Sequence, residues 1–219
     1  MNGSFYVGAL ELCAGGVLVC ALMTLWRRQV RSIVAMLRLQ GVALALVAAV
    51  LALHERDLGL ALTALLVLIV KGGVAPELLR RVVRHDSRSR ETTPLVNVPS
   101  SLVSGAVLIV IAYVVSVKII AVAPSVATRL VPLGIATLLV GYFLLVTRRR
   151  AVSQIVGLLL VDNGIALATL LLTAGVPLIV ELGSSLDVLL VVVVLRVLAT
   201  SVSDRLGSFD LDEMKELHD

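Results

Sequence analysis

The chain has 219 residues, of which 59% are hydrophobic, with a mean hydropathy of +1.06 and a formal charge of +4. A single water-soluble core of this size could not hide that much apolar surface, so the solvent of the fold is largely lipid. The basic residues stand in short clusters between apolar runs and aromatic residues reach only 3%, so the charge reads as orientation signals and excludes a nucleic-acid surface.

A helix crosses roughly 30 Å of hydrocarbon with about 20 residues. Seven runs of that kind follow one another, near 5–26, 32–53, 58–83, 100–123, 130–146, 151–174 and 184–202. They predict an all-α integral membrane bundle of about seven helices in one polytopic domain, 1–219. The first run lacks a basic leader and a small-residue cleavage site, so it reads as a retained helix. Its Cys13 and Cys20, seven residues apart, share a helix face as small packing residues.

Arg27, Arg28 and Arg31 follow the first run, five arginines from Arg80 to Arg90 follow the third, and Arg148 to Arg150 follow the fifth. The alternate connections, around 54–57, 123–128 and 175–183, carry almost none. The arginine bias therefore predicts an outer N-terminus and a cytoplasmic C-terminus. Segment 84–99, rich in Arg, Ser and Thr and closed by Pro94 and Pro99, reads as a cytoplasmic linker. Segment 203–219 reads as an acidic cytoplasmic tail, in which Leu211, Met214 and Leu217 recur at the spacing of a short amphipathic helix that docks on a partner protein.

The two halves share short segments. Arg28-Gln-Val-Arg-Ser-Ile-Val before the second run resembles Arg150-Ala-Val-Ser-Gln-Ile-Val before the sixth, and Asp57-Leu-Gly resembles Glu181-Leu-Gly, at offsets of 122 and 124 residues. The pattern fits two three-helix repeats joined by the fourth helix.

An ionisable side chain at bilayer depth costs a few kcal/mol, so each one requires a partner, a wet cavity or a route to the interface. Asp162 lies 12 residues beyond Arg150, about 18 Å of helix rise, which puts it near the middle of the membrane. It is a candidate proton-carrying carboxyl; the structural alternative is an acid kept neutral or bonded to a neighbouring helix. Lys71 and Arg196 also lie too deep to be end anchors, and each is a plausible counter-charge for Asp162. Gly72, Gly73 and Pro76 follow Lys71, weakening the helix and freeing backbone groups, which predicts a broken helix beside a polar cavity. An ion pair kept for architecture alone is the other reading.

Glu11, Arg38, Gln40 and Asp187 are shallower or less costly, and extend a polar path towards the two surfaces. Glu181 joins that path if the outer connection between Pro177 and Gly183 folds inward. Lys118 and Arg129 lie near outer helix ends, where they snorkel. Three scattered histidines (His54, His85, His218), two cysteines and no glycine-rich phosphate loop or nucleophile elbow provide no catalytic, metal or cofactor site.

Gln154-Ile-Val-Gly157, Asp162-Asn163-Gly164, Pro177, Glu181-Leu-Gly183, Asp187 and the tail Phe209-Asp-Leu-Asp together form a pattern that resembles the component E family of hydrogenase-4 and formate hydrogenlyase membrane proteins. That family is similar to the K-type small membrane subunit of respiratory complex I and to the C subunit of multisubunit cation/proton antiporters. The resemblance is most specific over 150–219. It implies a non-catalytic, multi-pass subunit of a complex in the bacterial plasma membrane, where redox chemistry on a soluble arm is coupled to proton translocation. The implied partners are antiporter-like and quinone-reductase-like membrane subunits and a soluble redox arm carrying iron-sulfur and nickel-iron centres; this chain itself would hold no cofactor. The family usually has Glu at the position of Asp162, so the carboxylate here reaches about one bond less far. The proton route implied would run through Asp162 and Asn163 with Lys71 or Arg196, extended by Asp187, Glu181, Glu11, Arg38 and Gln40. A purely structural assembly subunit and an independent small-molecule transporter remain alternatives.

Overall fold

A computed structural model describes residues 3–27, 29–85, 97–122, 124–148 and 151–173. Among them, six helices are long and apolar enough to cross a membrane, and no strand occurs. The seventh expected span at 184–202, the tail at 203–219, and Glu181, Asp187 and Arg196 lie outside the described residues.

Helix α1 spans Gly3–Trp26 and α2 spans Val30–Glu55. The third span has three pieces, α3 (Leu58–Val67), a π-helical stretch (Leu68–Val74) and α4 (Ala75–His85). Helix α5 spans Val98–Val122, α6 Val131–Thr147 and α7 Ala151–Thr173. The helices thus encroach on the expected linker from both sides, since α4 runs to His85 and α5 already includes Val98 and Pro99.

Local chemistry sets the corners. Arg56, left-handed at φ 54°, closes α2 with its N–H on the Ala52 carbonyl, and Asp57 caps α3 by accepting the Gly59 N–H at 2.7 Å. Above this turn the rings of Tyr6 and His54 stack, 3.8 Å apart and 13° from parallel, holding α1 to α2. Ahead of α6, Ser125 and Thr128 exchange backbone-to-hydroxyl hydrogen bonds of 2.8 and 3.0 Å, and Pro132 enters the first turn, where a missing N–H costs nothing.

Small residues decide which helices touch. Antiparallel α6 and α7 meet in four layers, Gly134 with Ala168, Leu138 with Gly164, Gly141 with Val161 and Leu145 with Gly157. Each helix steps by four, three and four residues, and every layer sets a glycine against a larger residue. A Cβ on Gly134, Gly141 or Gly157 would stand 2.6 to 2.7 Å from a backbone nitrogen of the opposite helix. In lipid, where burying apolar side chains gains little, such close backbone approach is the main source of helix association. Helix α5 uses the same device along Ser101, Gly105, Ala112 and Ser116, its buried positions, and turns Val103, Val107, Val110, Val114 and Val117 outward.

The arginines at 148–150 were expected to act only as orientation signals, but Arg148 is buried. Its Nη2 donates to the Leu25 carbonyl at 3.2 Å. That carbonyl lies in the last turn of α1, where the helix has no partner of its own to offer and a cation is favoured. Arg148→Ala is expected to lower stability by about 1.5–3 kcal/mol, the worth of a hydrogen bond to a charged group. Thermal unfolding of the full chain in detergent measures it, and an unchanged midpoint would remove Arg148 from the fold's supports.

Two large apolar clusters fill the bundle. One contains Leu10, Val17, Leu44, Leu51, Val67, Val131, Leu167 and Leu170, and the other Leu25, Ile33, Leu37, Leu79, Leu144, Val156 and Leu160. On α2 and α7 the two clusters leave a gap, between Leu37 and Leu44 and between Leu160 and Ala166, and polar residues occupy it.

A polar layer around Lys71 and Asp162

The chain direction alternates from span to span, so depth can be counted from the arginine-rich side. Val17 lies nine residues before Trp26, Gln40 nine after Arg31, Lys71 ten before Arg81 and Asp162 nine after Ser153, using the bounds of the apolar spans. At 1.5 Å per residue, all four sit about 14 Å in from that side, near the middle of the bundle.

Lys71 lies within the π-helical stretch. The turn is wide because Ala75 bonds its N–H to Val70, five residues back. Pro76 has no N–H, so it cannot bond the Gly72 carbonyl four residues before it. That carbonyl instead accepts from Arg38 Nε on α2, at 3.3 Å. The helix expected to break here is therefore widened and continuous: the freed carbonyl finds its donor on a neighbouring helix, and no lipid-facing gap is needed.

Widening turns Lys71 inward. Its Nζ stands 2.8 Å from Asp162 Oδ2 on α7, with side-chain exposures of 4% and 15%. The next residue, Asn163, donates from Nδ2 to Gln40 Oε1 at 3.0 Å, and Gln40 donates from Nε2 to the Val17 carbonyl of α1 at 3.2 Å. Gly41 permits this convergence, because a Cβ there would overlap the Lys71 carbonyl and lie 2.7 Å from the Gly72 nitrogen. A cavity of about 10 Å³, lined by Leu37, Val70, Ala75 and Leu159, adjoins the pair. That is room for roughly one water.

The structure therefore brings together Lys71, Asp162, Asn163, Gln40 and Arg38. Gln40, grouped by sequence with residues that are shallower or less costly, is 1% exposed in the central layer. Glu11 does not join: it lies on the exposed side of α1 and makes no hydrogen bond or ion pair among the described residues. Lys118 and Arg129 are exposed. The position that sequence reasoning overlooked is Gly41, whose role comes from the side chain it lacks. A longer internal match could have pointed to Gly41: Gln40-Gly41-Val42-Ala43-Leu44-Ala45 parallels Asn163-Gly164-Ile165-Ala166-Leu167-Ala168, and its two leading amides bond to each other. Among the described residues, no group of three or more His, Cys, Asp or Glu side chains could hold a metal ion.

Among the described residues, six apolar helices, with a Lys–Asp pair joining the third span to α7, define a multi-pass helical membrane protein. The chain is 41% identical to the uncharacterized protein Rv0085 of Mycobacterium tuberculosis, over 219 residues that span all of this chain and 99% of that one. It belongs to the family of that protein. No family model and no solved structure matches it.

Proposed function

We propose that this protein is a membrane-arm subunit of a hydrogenase-like, complex I-related assembly, and that it contributes to proton translocation driven by redox chemistry in other subunits. The observation that carries the reading is the Lys71–Asp162 ion pair, 2.8 Å long and held near mid-depth on a π-helical turn. A carboxylate there can take up a proton only by giving up its ion pair, and it re-forms the pair when the proton leaves, so proton occupancy and the position of Lys71 are linked. π-Helical turns recur at functional sites. The motif resemblance over 150–219 supplies the kind of complex: antiporter-like and quinone-reductase-like membrane neighbours, and a soluble arm with iron-sulfur and nickel-iron centres. In this reading the N-terminus is outside and the C-terminus is in the cytoplasm of a bacterial plasma membrane, and the chain carries two three-helix repeats, consistent with the pairing of the matched amides.

The test uses the complex isolated through a tag on this chain and reconstituted in vesicles, with pumping normalised to redox turnover. The variant Lys71→Gln/Asp162→Asn strands no charge, and is expected to assemble in normal amount without contributing its share of pumping. Asp162→Glu, which restores the acid usual in the resembled family, is expected to pump. Full pumping by the neutral pair overturns the reading.

A second reading, an assembly subunit whose ion pair fixes helix register, is favoured by how little room adjoins the pair. It predicts full pumping by the neutral pair wherever the complex assembles.

A further inference from the structure

Between α2 and α4, on the arginine-rich side, lies a cavity of about 420 Å³ that shares only Arg38 with the proton reading. Arg31 and Arg38 enter it from α2 and Arg80 from α4, with one acid, Glu77, beside them. Three cations against one anion leave a local charge of +2. Glu77 is already engaged along its own helix, 3.5 Å from Arg80 Nε and 3.7 Å from Arg81 Nε. Arg31 makes no hydrogen bond or ion pair among the described residues, and the single bond of Arg38 is the one from Nε to the Gly72 carbonyl. Among the described residues, most guanidinium donors of Arg31 and Arg38 therefore have no acceptor.

Arg38 stands seven residues beyond Arg31 on the same helix face, about 10 Å deeper. An arginine at that depth is costly unless something anionic or wet meets it. The floor of the cavity is apolar, formed by Val34, Ala35 and Pro76. Forked, always-charged donors above an apolar floor suit a phosphate joined to a greasy body better than a small carboxylate, since guanidinium matches phosphate geometry with two donors at a time.

The geometry points to a binding site for a phosphate group in the α2–α4 cavity, held by Arg31, Arg38 and Arg80. The phosphate can come from the headgroup of an anionic lipid or from free phosphate, and one experiment separates the two. The full chain, purified in neutral detergent, is titrated with phosphatidylglycerol and with phosphatidylcholine, and bound lipid is counted by native mass spectrometry. It is then challenged with inorganic phosphate.

Wild type is expected to prefer phosphatidylglycerol by at least about tenfold, a modest return for two charge-assisted contacts. Arg31→Ala/Arg38→Ala is expected to erase the preference. Ala35→Glu, which leaves every arginine in place and sets a carboxylate among them, does the same and decides the matter if the double variant fails to fold. Arg129→Ala, at an exposed position before α6, leaves it intact. Preference for phosphatidylglycerol that inorganic phosphate does not displace identifies the lipid headgroup; arginine-dependent binding or displacement by inorganic phosphate identifies the free anion. Equal retention of the two lipids with no phosphate binding, or a preference that survives in Ala35→Glu, overturns the site.

Discussion

Removing either partner of the Lys71–Asp162 pair is expected to cost far more stability than removing both. Lys71→Met leaves the Asp162 carboxylate facing an apolar wall, and Asp162→Leu does the same to the Lys71 ammonium. Stranding one charge of a buried pair typically costs about 3–5 kcal/mol, while exchanging the whole pair for apolar residues of similar size is often neutral or stabilising. The layer can absorb the exchange, because Leu37, Val70, Ala75 and Leu159 already surround the pair and only about 10 Å³ stands empty there. Lys71→Met/Asp162→Leu is therefore expected to recover most of what either single variant loses. Unfolding of all four proteins in the same detergent gives the coupling energy directly. Additive losses, with no recovery in the double variant, would mean that the two side chains do not act as a pair in the folded protein. Recovery also prepares the functional test: a bundle that stands without the pair lets pumping be scored separately from assembly.

Asp162 and Lys71 were readable from the sequence because an ionisable residue within a long apolar run has few explanations. Depth along a helix can be counted, and both came out near the middle. Which helix face each residue occupies could not be counted in the same way. Helix α1 is apolar nearly all the way round, so no stripe of polar residues marks its outer side, and Glu11 looked as eligible as any other acid until the packing of Leu10, Ala14 and Val17 turned it outward. The depth of Gln40 was not legible for a related reason: an amide is tolerated at many depths, so its type says little, and only its bonds to Val17 and Asn163 fix it. The continuity of the third span depended on a residue 34 positions away. Gly72, Gly73 and Pro76 together suggest a break, and they would make one if Arg38 did not supply the missing donor. Local sequence records that a carbonyl is freed and is silent on what takes it up.

Gly41→Ala is expected to be among the most damaging of the small substitutions in the bundle. Its new methyl group would occupy the space of the Lys71 carbonyl, which belongs to rigid helical backbone and not to the end of a flexible side chain. Helix α2 must then move off the third span. Overpacking of this kind costs typically about 1–3 kcal/mol. The more specific consequence is geometric. Arg38 and Gln40 lie just before Gly41 on α2, so the same displacement lengthens the Arg38 Nε to Gly72 bond, now 3.3 Å, and the Gln40 to Asn163 bond, now 3.0 Å. The first of these satisfies the carbonyl that Pro76 leaves open, and the second ties α2 to the helix that carries Asp162. Gly8→Ala is the control, since a Cβ there meets nothing within 4 Å and alanine is the better helix former. Gly41→Ala should therefore lower the unfolding midpoint in detergent while Gly8→Ala holds or raises it. If the two variants behave alike, α2 does not rest on the π-helical turn as closely as its glycine allows, and the alignment of the polar layer must come from α6 and α7 alone.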